Sequence, residues 1–356
     1  MPILPVVRRW IVTCHFGSLP PASAPLMDYL VTGGAGFIGS HLADHLLEQG
    51  HRVHALDNLS TGSLDNLRHL DGEERFELTI GNVLDYHTLE RCVAACDCIV
   101  HLAAAVGVKL IMEKPVETIT TNVQGTENVL RLADYYDCRT LVASTSEVYG
   151  KSMEKEASID RLAETDDWVL GPTSKRRWAY ACSKAMDEFL ARAYHDEKGL
   201  SVVAARFFNT VGPRQTGQYG MVIPTFVEQA LAGEPIRVYG DGEQTRCFTH
   251  VADAVEAVSA LAGREESAGE VYNIGNSEEV SINELAERVR ALTGSRSPIE
   301  HVPYEAVYGA GFEDMRRRTP DLGKIRAAIG YAPSRTLDDI LEAVVAHRQT
   351  AEKAPA

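Results

Sequence analysis

Apolar residues along the chain fall into short continuous runs, separated by segments in which they recur every three or four positions. Tyr29–Thr32, His51–Leu56, Asp97–Leu102, Thr140–Ser144 and Ser201–Arg206 are such runs. Their length suits strands buried on both faces of a sheet. Ile38–Gln49 and Thr118–Tyr136 carry the helical period between them. This alternation predicts βαβ units, hence an α/β chain with a doubly wound parallel sheet of Rossmann type. After about Phe207 the pattern loosens, and Gly212, Pro213, Gly217, Gly220, Pro224, Gly233 and Pro235 interrupt it. Two further helices, Ile282–Leu292 and Leu337–His347, are expected. The chain thus divides into a sheet domain over 27–206 and a smaller C-terminal α/β substrate-binding region over 207–245 and 276–350. It returns to the sheet at about 246–275, through Phe248–Ala262 and Glu270–Ile274.

Residues 1–26 stand outside this pattern. Arg8 and Arg9 precede a poor apolar run that holds Cys14 and His15, and Pro20, Pro21 and Pro25 follow. The segment reads as a disordered extension rather than an export signal. Elsewhere no stretch reaches the ~18 apolar residues of a membrane helix.

Composition changes this picture little. The 356 residues are 45% hydrophobic and 24% charged, ordinary for a globular protein. A net charge of -15 argues against a nucleic-acid or anionic-membrane surface. Among seven cysteines, Cys92, Cys96 and Cys98 cluster near His101, but their spacing matches no zinc pattern. They read as reduced thiols of a cytoplasmic protein, and no metal site is expected.

Thr32-Gly33-Gly34-Ala35-Gly36-Phe37-Ile38-Gly39 joins the first strand to the first helix. In that context the glycines are a dinucleotide fingerprint. Gly33 permits the tight turn, Gly36 lets a pyrophosphate approach the backbone, and Gly39 lets helix and strand pack. The N–H groups at the helix start, at Phe37 and Ile38, would face the pyrophosphate. Asp57 closes the second strand, about eighteen residues beyond Gly39. A carboxylate there accepts from ribose hydroxyls and repels a 2′-phosphate, which selects NAD over NADP. Asn58 and Ser60, just beyond it, belong to the same cofactor edge.

Tyr180 and Lys184 lie four apart, on one face of a helix. A nearby ammonium, with a positive nicotinamide, is expected to lower the tyrosine pKa, so that a tyrosinate can take a proton from a sugar hydroxyl. Thr145-Ser146-Glu147 follows a sheet strand.

With these motifs together the chain resembles the extended short-chain dehydrogenases/reductases that act on nucleotide sugars as epimerases, dehydratases and decarboxylases. His101–Ala104, Asn122, Arg206–Asn209, Gly212–Arg214 and Gly240–Arg246 also match, and the likeness runs from Met27 to about Pro333. It implies that Leu102, Ala103, Ala104 and Asn122 serve the cofactor. It implies also that Asn82 and Val83 flank the adenine, although the family usually has Asp at Asn82. Asn209 and Arg246 would hold a nucleoside diphosphate, Arg246 by charge-assisted bonds. A homodimer through a helix pair, including Thr118–Tyr136 and the Tyr180 helix, is the family habit.

Family members share oxidation of the sugar at C4 and differ in the fate of the ketone. The dTDP-sugar dehydratases carry Thr-Asp-Glu where Thr145-Ser146-Glu147 stands, which argues against that reaction, although GDP-mannose dehydratases resemble Thr-Ser-Glu. Gly171–Tyr180, with Arg177, resembles the bacterial decarboxylases of UDP-glucuronate. Arg316–Asp321 resembles their Arg-Lys-Pro segment, with Arg318 at the substrate-contacting Arg and Thr319 in place of Lys. The resemblance therefore implies UDP-glucuronate decarboxylation to UDP-xylose or its 4-keto form. Thr145 would bond the C4 oxygen, Ser146 and Glu147 would sit near C5–C6, and Arg318 would bind a charged group of the UDP-sugar. C4 epimerisation of a UDP-hexose or UDP-uronate is the alternative. A 4,6-dehydratase and a non-catalytic NAD-binding protein stand behind it.

Overall fold

The structure is a computed structural model, and it describes residues 26–156, 158–217, 220–308 and 314–353. The extension expected over 1–26 thus lies, but for Leu26, outside the described residues.

Seven parallel strands form one sheet. They are Asp28–Thr32 (β1), Arg52–Asp57 (β2), Phe76–Ile80 (β3), Cys98–His101 (β4), Arg139–Thr145 (β5), Val202–Phe207 (β6) and Val271–Ile274 (β7). Their order is β7-β6-β5-β4-β1-β2-β3. The fold is therefore the doubly wound Rossmann type that the apolar runs predict. No apolar run announces β3. None of its five residues is buried, and an edge strand of that kind needs no continuous apolar run.

Alternation along the strands feeds two layers. Tyr29, Val31, Cys98, Val100 and Leu141 point toward the helices Phe37–Glu48, Val251–Ala262 and Gly323–Ile329. Leu30, Leu56, Ile99 and Val142 point toward Tyr86–Val93, Pro115–Tyr136 and Trp178–Lys198. The segment Phe248–Ala262 returns to the sheet domain as a helix, with the His250 ring accepting from Ala252 N at its start. A third apolar cluster unites the helices Val222–Ala232, Ile282–Leu292 and Leu337–Lys353 with the parallel pair Ile236–Tyr239 and Ile299–Val302.

Strand order reverses between β1 and β4, which opens a crevice at the carboxyl ends of the sheet. The third cluster faces it, and a cleft of about 1290 Å³ lies between them.

Candidate active site

The cofactor half of the cleft is built on the turn after β1. Gly33 has φ +73, and a Cβ there would stand 2.9 Å from the Ala103 backbone nitrogen. A Cβ on Gly39 would meet the Gly33 carbonyl oxygen at 2.2 Å. Both positions therefore admit only hydrogen. The helix Phe37–Glu48 has no side-chain cap and no acidic residue in its first turn. Its first N–H groups are left for a ligand, which suits an anion. Asp57 is buried at the end of β2. Its Oδ2 accepts from Ala35 N at 2.9 Å and its Oδ1 from Leu59 N at 2.8 Å. Each oxygen keeps a second lone pair for a ribose hydroxyl.

Gly36, Phe37, Ile38, Asn58, Ser60, Asn82, Val83, Leu102, Ala103 and Ala104 line the same cleft. Asn58 Oδ1 accepts from Ser60 N, and Asn82 Oδ1 from Leu84 N. Asn122 is placed differently from the expectation, because it is fully buried behind the wall. Its Oδ1 accepts from Ala105 N at 2.8 Å and its Nδ2 donates to Ser183 Oγ at 3.0 Å. It ties the loop after β4 to the Tyr180 helix rather than facing the cofactor space.

Thr145 ends β5, and its hydroxyl accepts from Glu147 N at 3.2 Å, starting the 3₁₀ turn Ser146–Tyr149. Tyr180 and Lys184 come from the first turns of Trp178–Lys198 and line the cleft with Thr145, Ser146 and Glu147. Burial, then the Glu147 and Asp187 carboxylates, push the Tyr180 hydroxyl up; the Thr145 hydrogen bond and Arg318 pull it down less. Lys184, four residues on, is expected to act with a positive nicotinamide to lower it. Lys184 Nζ donates to Asp187 Oδ2 at 2.6 Å.

Opposite Tyr180 lie three buried guanidiniums. Arg318 donates to Asn209 Oδ1 at 3.0 Å and to Ser146 Oγ at 3.4 Å, and stands 3.5 Å from Glu147 Oε1. Its Nε has no partner among the described residues. Burial, then Arg246, push its pKa down to about 10, with Arg177 adding to the effect. Arg246 and Arg177 both grip Asp314, at 2.8 and 3.2 Å, and Arg177 also stands 3.6 Å from Glu147. Burial opposes the charge on Asp314, yet Arg246, Arg177 and Arg318 hold its carboxyl at about 2. Tyr304 donates to the same carboxylate. The cluster sets three cations against Glu147 and Asp314. By contrast, Arg316 and Arg317 are exposed and pair with Asp241 and Glu279.

Sequence reasoning missed Asp314, Tyr304 and Asp187. Asp314 stands two residues before the Arg run, but nothing local separates it from the chain's many surface acids.

The family profile described as GDP-mannose 4,6 dehydratase matches residues 30–344. The chain belongs to this family. Family members of known activity are close to it. The UDP-N-acetyl-alpha-D-glucosaminuronate decarboxylase of Bacillus cytotoxicus is 44% identical over 306 residues, covering 86% of this chain and 92% of that protein. UDP-glucuronic acid decarboxylase 1 of Danio rerio is 38% identical, covering 89% of this chain and 71% of that one. Among solved structures, the UDP-glucuronic acid 4-epimerase of Bacillus cereus, in complex with UDP-glucuronic acid and NAD, superposes with a TM-score of 0.81. It is 27% identical and covers 91% of this chain and all of that one.

Proposed function

We propose that this family member is an NAD-dependent decarboxylase of a UDP-linked uronic acid, with UDP-glucuronate as its substrate. One observation carries the reading. Arg318 is a buried cation with an unpartnered Nε, set beside Ser146, Glu147 and Asn209 next to the Thr145–Tyr180 pair. A site that holds three guanidiniums against two carboxylates favours an anionic sugar, and two relatives decarboxylate such sugars by name.

The Gly33–Gly39 turn, Asp57 and the wall from Leu102 to Ala104 would hold NAD, which supplies a hydride acceptor for C4 of the sugar. Arg246, Arg177 and Asn209 bind the UDP-sugar diphosphate, and Arg318 orients the uronate carboxylate. Thr145 donates to the C4 oxygen while Tyr180 takes the C4 hydroxyl proton. The resulting 4-keto uronate is a β-keto acid. Its C5–C6 bond breaks, carbon dioxide leaves, and the electron pair passes into an enolate whose charge rests on the C4 oxygen. Tyr180 and Thr145 stabilise that oxygen. A proton then reaches C5 from Glu147 or from water beside Ser146, and return of the hydride to C4, with the Tyr180 proton going back to the C4 oxygen, completes UDP-xylose.

Incubation with UDP-glucuronate and mass analysis tests the reading. A product lighter by one carbon dioxide is expected. An unchanged mass with altered retention would replace it with C4 epimerisation, the activity of the Bacillus cereus neighbour. UDP-N-acetylglucosaminuronate, the sugar in the name of the Bacillus cytotoxicus relative, belongs in the same assay.

The reading extends to a cytoplasmic homodimer. Among the described residues no helix is long and apolar enough to cross a membrane. The described cysteines are free, including Cys96 and Cys138 with sulfurs 4.0 Å apart, which supports a reducing compartment. Ile119, Tyr135, Met186 and Phe189 are exposed on the packed helices Pro115–Tyr136 and Trp178–Lys198. That apolar surface suits a second copy. Phe189→Glu is expected to shift the sedimentation coefficient to that of a monomer.

A further inference from the structure

Arg246 lies in the strand Thr245–Cys247 and Arg177 just before the helix Trp178–Lys198, yet one side chain spans both. Asp314 Oδ2 accepts from Arg246 Nη2 at 2.8 Å, and Asp314 Oδ1 stands 3.2 Å from Arg177 Nη2. The Tyr304 hydroxyl donates to Oδ2 at 3.0 Å, and Met315 N donates to Oδ1 at 2.9 Å. Arg177, Arg246, Tyr304 and Asp314 all line the cleft. One carboxylate thus sets an oxygen against each of two guanidiniums, as the two phosphates of a nucleoside diphosphate would.

Charge decides whether carboxylate and diphosphate can share this place. The site sets Arg177, Arg246 and Arg318 against Glu147 and Asp314. A UDP-uronate brings a doubly charged diphosphate and a carboxylate of its own. With Asp314 still in place the anions would outnumber the guanidiniums, and like charges repel strongly where water is excluded. Asp314 has a way out. Its side chain is 18% exposed, against 6% for Arg177 and 7% for Arg246. Met315, the next residue, is buried and fixes the backbone, so a change of side-chain rotamer is enough. Arg246 does not follow it, because its Nη1 donates to the Thr245 carbonyl at 2.7 Å.

We propose that Asp314 is a built-in counter-anion of the substrate site, which occupies the diphosphate position in the free protein and yields it when the nucleotide enters. The proposal rests on Arg177 and Arg246 binding the diphosphate in the function proposed above. In the free protein Asp314 keeps two buried guanidiniums paired, where an unpaired buried charge is costly. On binding, the ligand exchanges one anion for another, so nucleotide affinity is the difference between two similar contacts. The product carries the same diphosphate as the substrate. Asp314 therefore competes with the product too, and its return promotes release.

Calorimetric titration of the whole chain with UDP reads the competition directly, without turnover. In Asp314→Ala, UDP is expected to bind roughly tenfold more tightly than in the parent, since a like charge set against the phosphates is gone. The melting temperature without ligand falls, and saturating UDP raises it by more than in the parent. A residue that only held the arginines in place would lower UDP affinity when removed. Unchanged or weaker UDP binding in Asp314→Ala would therefore overturn the proposal. If that variant does not fold, Asp314→Asn, which keeps the shape and loses the charge, takes its place with the same expectation. If neither folds alone, both are refolded with UDP or inorganic pyrophosphate present. The proposal requires the added anion to restore cooperative unfolding, and failure to restore it sinks the proposal. A parent protein that binds UDP but leaves UDP-glucuronate unchanged sinks the assigned reaction instead, and the UDP titration still judges Asp314.

Discussion

Tyr180 sits where burial and two carboxylates oppose its ionisation, so its use as a base depends on what surrounds it rather than on its own acidity. Removing the hydroxyl removes the group that accepts the C4 proton and leaves the dinucleotide turn untouched. Tyr180→Phe is expected to lower kcat by about 10²–10⁴-fold, the usual contribution of a positioned acid–base group, with NAD stoichiometry unchanged. Arg318 belongs to the other end of the sugar. Losing a charge-assisted bond costs about 1.5–3 kcal/mol, so Arg318→Ala should cut kcat/KM on UDP-glucuronate by roughly ten- to a hundredfold. The binding of UDP-glucose, which lacks the carboxylate, should weaken far less. Equal losses for both ligands would move Arg318 to the diphosphate. Asn122 differs from both. Its residue type suited a cofactor contact, but its amide is committed to Ala105 and Ser183.

Between elements, the helix Phe37–Glu48 packs directly on the turn that precedes it. The Gly33 carbonyl and the Gly34 Cα, both backbone, would lie 2.2 and 2.8 Å from a Cβ on Gly39. Backbone cannot swing aside as a flexible side chain does. Gly39→Ala is therefore expected to destabilise the fold by about 1–3 kcal/mol, as overpacking does, and to abolish NAD binding. Thermal unfolding and equilibrium dialysis read the two effects. Gly263→Ala is the matched control, since its Cβ meets nothing closer than 3.4 Å. The same scale explains β3. Helix and strand periods reveal elements that bury a face, and Phe76–Ile80 buries none of its residues fully. Its place is set by pairing with β2.

For the whole molecule, buried histidines tie stability to pH. Burial lowers His101 to about 3 and His41 to about 4, against an ordinary value of 6.5. The unfolded chain therefore takes up protons on these rings as the pH falls through 6.5, while the folded protein does not. Above that value the two states bind equally and nothing is lost; below it stability declines continuously toward the folded values. Unfolding by urea at pH 7.5, 6 and 5 should give midpoints that fall in that order, and a flat series would contradict the burial of these rings. The sequence by itself determined the fold class, the dinucleotide turn, Asp57 and the Tyr180–Lys184 face. These depend on local period and on spacing within one element, which are written in adjacent residues. The tertiary structure alone decided that Asp314 joins Arg177 to Arg246, and that Arg318 meets Ser146, Glu147 and Asn209. Which charges meet, and which of them lose water in meeting, depends on how separate elements pack, and no spacing along the chain encodes that.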